Sequence, residues 1–175
     1  MSTLSQTDVR AGAPIAIAAI FISPQAGAPM QSVEQIKVAA DVGLEGDRYA
    51  LGIGAYSRIE PVKVRHATFI SLHGIEEANA LLAGQGLPPF MPVATRRNFL
   101  LDGITAEGLN ALTGRRFSVA GVEFEGLELA TPCPRPSWLL KRGDIFKRVF
   151  EDRGGLRAQV LGSGQVRIGD VLVVP

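Results

Sequence analysis

The 175-residue sequence has little sulfur or imidazole with which to hold a cofactor or metal. It contains one cysteine, Cys133, and two histidines, His66 and His73. One thiol excludes an internal disulfide framework and any all-cysteine zinc or iron–sulfur cage built by a single chain. Two histidines leave little for a multi-histidine metal centre. An excess of charge is also lacking: 18 Lys+Arg against 17 Asp+Glu leaves a net +1. A surface that coats polyanions in general is excluded, whereas a local basic patch is not, so no nucleic-acid partner is expected. Long apolar runs are missing too. The longest, Ile15 to Ile22, is bounded by Pro14 and Pro24 and falls far short of the ~20 residues of a membrane-spanning helix. Asp8 precedes it alongside Arg10, and it is rich in Ile and Ala with no Leu. It therefore reads as a buried first strand rather than the core of a signal peptide, with no membrane partner expected. An unpaired cysteine and no convincing export signal make the cytoplasm the expected compartment.

What is present is the composition of a globular domain, 46% hydrophobic and 20% charged. Residues 1–12 read as a flexible tail and 13–175 as a single domain. Twenty Gly and eleven Pro punctuate the chain with turns. Extended segments are expected at 14–22, around Val33, Ile36 and Val38, and at 68–72 and 99–101. Residues 41–57 read as a loop. The helix with the best periodicity spans 74–83, with Ile75, Ala78, Leu81 and Leu82 at helical spacing. Phe117–Val119 and Val122–Leu129 flank Ala120-Gly121 as a hairpin. Leu109 and Leu112 lead into it, and 138–150 has room for a helical turn or two. Leu156–Leu161 and Val166–Ile168 read as a closing hairpin, before a last strand at 171–174. Many short strands with few helices predict a mainly β, barrel-like fold with small helical insertions.

Cys133 is the sharpest chemical feature. In Thr131-Pro132-Cys133-Pro134-Arg135-Pro136 three prolines stiffen the backbone around one thiol, and Arg135 favours the thiolate. Such a thiolate ligates a soft metal, attacks an electrophile or carries a sulfane sulfur; a buried cysteine acting as a small hydrophobe is the plainer alternative. In Gly43-Leu44-Glu45-Gly46-Asp47-Arg48-Tyr49, Asp47 offers an acceptor and Arg48 a fork of donors, unless the segment is simply a solvated turn. Arg96, Arg97 and Asn98 could clamp a phosphate. If they are part of a strand, the two arginines point to opposite faces and only one easily reaches a given ligand. Gly154-Gly155 between Arg153 and Arg157 could form an anion-binding nest, although a turn explains the glycines as well. His73 is expected at a helix start and His66 at the surface.

In this order the segments resemble the MOSC family, named after the C-terminal domain of molybdenum cofactor sulfurases. The matching stretches are GLEGDRY (43–49), GIGAYS (52–57), ATFISLHGIEEAN (67–79), RRNFLLDGI (96–104), LTGRRFSVAGVEFEG (112–126), PC (132–133), GGLRA (154–158) and VRIGD (166–170). Each is weak alone; the ordered set is specific, and is most like the stand-alone, single-domain members. The resemblance implies a β-barrel with flanking helices. For the reductase branches it implies molybdenum cofactor (molybdopterin), with Cys133 as the metal ligand and the surrounding polar and basic residues as its binders; for the sulfurase branch it implies cofactor binding or sulfur carried on this cysteine. The cofactor-binding candidates are Arg48, Arg96, Arg97, Asn98, Arg153, Gly154, Gly155 and Arg157. Asp47 is the candidate proton donor if it lines the pocket.

Three readings follow. The first is a molybdenum-dependent oxidoreductase that reduces small N-hydroxylated compounds. One cysteine builds no iron–sulfur module, so its electrons must come from an external donor protein. The second is a carrier of sulfur or of the cofactor, using Cys133 and served by a cysteine desulfurase. The third is a non-catalytic β-barrel binding module in which Cys133 is structural.

Overall fold

The computed structural model describes residues 13–175; the expected tail at 1–12 lies outside the described residues. In chain order the elements are β1 (Ala16–Ile22), β2 (Gln31–Val33), β3 (Gln35–Ala39), β4 (Gly43–Leu44), β5 (Ala67–Ser71), α1 (Leu72–Ala83), a 3-10 turn (Pro92–Thr95), β6 (Phe99–Asp102), α2 (Ala106–Asn110), β7 (Arg116–Val119), β8 (Val122–Leu129), α3 (Arg135–Leu139), α4 (Ile145–Val149), β9 (Leu156–Val160), β10 (Gly164–Arg167) and β11 (Leu172–Val173). The fold is mainly β with small helical insertions.

Eight strands form one sheet in the order β11-β7-β8-β9-β5-β6-β1-β2. Only β5 and β6 are parallel, and α1 lies in the crossover that such a pair requires. The sheet curls until β1 meets the segment before β11. Ile17 N donates to Asp170 O at 2.9 Å, Gly169 N to Ile17 O at 2.8 Å, and Leu172 N to Ile15 O at 2.8 Å. A smaller sheet, β10-β3-β4, packs beside it.

Alternation along the strands separates two cores. Inside the curl, Phe69, Phe99, Phe117 and Phe124 pack with Ile17, Ile20 and Val160. The rings of Phe69 and Phe99 are 4.9 Å apart, and Phe69 meets Phe124 edge-on at 5.2 Å. Each such side chain stabilises the fold by about 1.5–3 kcal/mol through burial alone. The next residues on β5 and β6, Ile70 and Leu100, face outward into a second core. It is covered by Ile75, Ala78 and Leu82 of α1 and by Phe146 and Phe150 at α4. The helix expected at 74–83 begins two residues earlier. Ser71 caps it: its Oγ accepts from Gly74 N at 3.1 Å and donates to Ile104 O at 2.6 Å. His73 sits in its first turn, as expected.

Two local expectations are corrected. The closing hairpin does not form. β9 lies between β8 and β5, and β10 instead pairs with β3 through Val166 opposite Ile36. Burial decides this: Leu156, Ala158 and Val160 fill the inner core, which needs β9 flanked on both sides. His66 is not a free surface side chain. It is half-buried, and its Nδ1 accepts from Val160 N at 3.2 Å. The hairpin at Ala120-Gly121 forms as expected, with φ of 50° and 77°, the left-handed pair that suits a two-residue connection.

Candidate functional site

The strand alternation that builds the outer core also places a cleft beside it. Thr68 shares its face of β5 with Ile70, and Asn98 precedes β6 on the face of Leu100. Arg157 of β9 projects the same way, opposite Thr68. These three side chains help line a cleft of about 250 Å³, closed around its sides by loops at 26–27, 48–56, 96–97 and 130–136. Cys133 is among the lining residues, and so are Arg48, Arg65, Arg96, Arg97, Arg135 and Arg157; no carboxylate is.

Arg96 and Arg97 reach this cleft together, contrary to the strand expectation. Arg96 is not in a strand. It ends the 3-10 turn with φ 62°, and this left-handed residue swings the backbone so that two consecutive side chains serve one cavity. Arg96 Nη1 donates to Ala28 O at 2.8 Å, while its Nη2 is buried without a partner. Arg97 is a brace: Nε donates to Gly154 O at 2.7 Å and Nη2 to Ala130 O at 3.0 Å. It thereby ties the loop leading to Cys133 to the loop before β9. Burial pulls the pKa of both arginines down to about 10. Nearby Arg48 and Arg135 add to the effect at Arg96, whereas at Arg97 the neighbouring Cys133 opposes it. Arg157 is depressed too, first by burial and then by Arg65, with Glu128 opposing. Arg157 shares Glu128 with Lys63.

Asn98 is the joint of the site. Its Oδ1 accepts from Thr68 N at 3.1 Å and Thr68 Oγ1 at 2.9 Å, and its Nδ2 donates to Phe21 O at 3.1 Å. One side chain thus fixes β1, β5 and the start of β6. Asp47 does not line the cleft. Only 2% exposed, it accepts from Ser23 N, Tyr49 N and Arg48 Nη1, each at 3.1 Å. Its place is behind the wall, holding Arg48 against the cavity.

Of the Arg153–Arg157 segment, only Arg157 reaches the cleft. Arg153 turns away to Glu77 of α1 at 3.5 Å and donates to Val149 O at 3.1 Å. Gly155 has φ +98°, and a Cβ there would come within 2.1 Å of Phe69 O. Gly154 contributes its carbonyl, to Arg97. These two glycines let the chain pass close to β5 and β8, and their amides are not part of the cleft lining.

Among the lining residues outside the sequence-based set of cofactor binders are Tyr49, Tyr56, Arg65 and Arg135. The aromatic pair alternates with cations. Arg48 lies 4.9 Å from the Tyr49 ring centre, and Arg65 lies 5.9 Å from Tyr49 and 5.1 Å from Tyr56. Arg65 Nε is buried without a partner. Tyr56 Oη donates to Cys133 Sγ at 3.7 Å. Burial is the first cause raising the Tyr56 pKa above its ordinary value, followed by this bond to Cys133. The signal for these residues was their position inside or beside the matched GLEGDRY, GIGAYS, ATFISLHGIEEAN and PC segments, not any motif of their own.

With the curled sheet and the cysteine-bearing cleft in place, comparison with known proteins decides the family. The family model described as "MOSC domain" matches residues 62–173. The chain belongs to the MOSC domain family. Solved structures share the MOSC fold. The YuaD protein from Bacillus subtilis is 17% identical, covered over 91% of this chain and 94% of its own, with a TM-score of 0.75. YiiM from Geobacillus stearothermophilus is 15% identical over 93% of this chain and 75% of its own, at 0.65. YiiM from Escherichia coli is 17% identical over 93% and 70%, at 0.61. No curated protein matches the sequence. No helix of the described residues is long and apolar enough to cross a membrane.

Proposed function

We propose that this MOSC protein binds molybdenum cofactor with Cys133 as metal ligand and reduces N-hydroxylated compounds, using electrons from an external donor protein. The observation that carries the reading is the joint placement of the only thiol and six arginines in one cleft free of carboxylates. The residues present fit such a group. A thiolate is a soft ligand suited to molybdenum. Guanidinium forks suit a pterin phosphate, and two of them, Arg96 and Arg65, have buried N–H groups awaiting an acceptor. Among the described residues no cluster of three or more His, Cys, Asp or Glu could hold a metal. A metal at Cys133 would therefore arrive with its other ligands supplied, as it does in a cofactor.

When bound, the cofactor would supply two-electron redox chemistry. The chain's own contribution is to bind, orient and exclude. Arg96, Arg97 and Arg135 provide fixed positive charge, Asn98 holds the start of β6 beside Arg96 and Arg97, and Arg97 anchors the Cys133 loop. Reduction of N–OH to N–H and water consumes two electrons and two protons. Asp47 has no direct route to the cleft, so the protons enter from solvent or from a hydroxyl on the wall.

The test is molybdenum per protein by elemental mass spectrometry, after anaerobic production in a cofactor-making host, with Cys133→Ser alongside. Near-stoichiometric metal that is lost in the variant, with the circular dichroism spectrum retained, supports the ligand role. No metal in either sample would overturn it and move the assignment to the sulfur-carrier reading. Added sulfur mass on Cys133 after incubation with a cysteine desulfurase would then be sought.

A further inference from the structure

The geometry points to Tyr56 as the positioning residue of Cys133, its hydroxyl holding the sulfur in the cleft and damping its nucleophilicity so that it serves as a ligand rather than as an attacking group. The inference rests on the cleft reading above and deepens it.

The argument begins with the bond itself. Tyr56 Oη donates to Cys133 Sγ at 3.7 Å, a long contact within the reach of the large sulfur acceptor. The two residues come from segments 77 positions apart, so the contact is tertiary and not a by-product of a local turn. The donor is held from its other side as well. The Arg65 guanidinium lies 5.1 Å from the Tyr56 ring centre, and Arg65 also faces Tyr49. Gly54, two residues before Tyr56, leaves room for the Tyr49 ring: a Cβ there would come within 2.4 Å of it. The phenol therefore sits in a packed frame of arginine and tyrosine, aimed at the only thiol.

A hydrogen bond to a thiolate removes electron density from sulfur. A less electron-rich thiolate attacks electrophiles more slowly, because nucleophilicity falls with basicity. It remains a metal ligand, since coordination needs a lone pair directed into the cleft and not a strong attacking group. A sulfur carrier would want the reverse, an unquenched thiolate. The Tyr56 contact thus bears on which chemistry Cys133 performs, and it is a property of the chain before any cofactor arrives.

The experiment uses the cofactor-free full chain. Cys133 is alkylated with iodoacetamide, a neutral probe, at pH 9.5, above the ordinary thiol range, in wild type and Tyr56→Phe. Thermal melts confirm that both are folded. The expected result is alkylation about threefold faster in the variant, the size set by the weak dependence of thiolate reactivity on basicity. An equal or slower rate would overturn the proposal. A second measurement reads the other end of the bond. The chain has two tyrosines, so second-derivative near-ultraviolet spectra are simple. Cys133→Ala removes the acceptor and is expected to move the tyrosine band to shorter wavelength; an unmoved band counts against the contact. Neither readout involves metal. Loss of the molybdenum reading would leave both results standing, and failure here would leave the metal analysis unaffected.

Discussion

Residues that look alike in the sequence differ in what surrounds them. His66 accepts from a strand amide through Nδ1, which needs a bare nitrogen. Burial is the main cause holding its pKa below the ordinary value, with Asp41 opposing. The unfolded chain therefore takes up this proton first. The stability His66 contributes is present above the unfolded pKa of about 6.5 and is lost as pH falls through the folded value. Urea midpoints should decline from about pH 7 to 5 in wild type. His66→Gln, which does not titrate, should flatten that slope; an unchanged slope would place the proton elsewhere. The arginines make the same point. Arg48 and Arg157 have carboxylate partners in Asp47 and Glu128, Arg97 binds carbonyls, and Arg96 and Arg65 keep an N–H without a partner. Sequence motifs located some of these cations but not their different duties.

Elements were legible where a local signal was strong. The helix showed its periodicity, and the hairpin at 120–121 its alternation and glycine. The short α2 (Ala106–Asn110) went unread, because five residues give little periodicity. It starts where Thr105 Oγ1 accepts from Gly108 N at 3.0 Å. The mispaired closing hairpin shows the limit of adjacency: β9 finds its neighbours by burial across the sheet, not along the chain. That packing carries a sharp expectation at Gly155. Its left-handed φ and the 2.1 Å approach of a Cβ to Phe69 O leave no room for alanine. Gly155→Ala should cost several kcal/mol, because strain and a forced shift of β9 from β5 combine. Gly114→Ala is the control, with φ +75° but open space around it; only the backbone term of about 1–2 kcal/mol should appear there. Equal losses in the two melting curves would mean that the clash is relieved cheaply.

At the scale of the molecule, near-neutral net charge conceals a strongly cationic cleft. Gathering six arginines there without a lining carboxylate leaves positive charge that an anion would relieve. Phosphate should raise the melting temperature of the cofactor-free protein above that in chloride at matched ionic strength. At a few times its Kd the gain is about 1 kcal/mol, or about 2–4 °C for a chain of this size. Arg96→Ala should reduce that gain without abolishing the fold; an identical response to both salts would mean that the cleft does not select anions.

By itself the sequence determined the fold class and the family, and it singled out Cys133 as a candidate, because strand alternation, turn residues and a proline-framed thiol are local signals. The shape and membership of the cleft were decided by the tertiary structure. Arg96 turns in only because its backbone is left-handed, Asp47 lies behind the wall because three donors claim its carboxylate, and Arg153 is drawn off by Glu77. Tyr56 meets Cys133 across 77 residues of chain. Such pairings depend on which strands lie side by side, and long-range burial, not local pattern, sets that order.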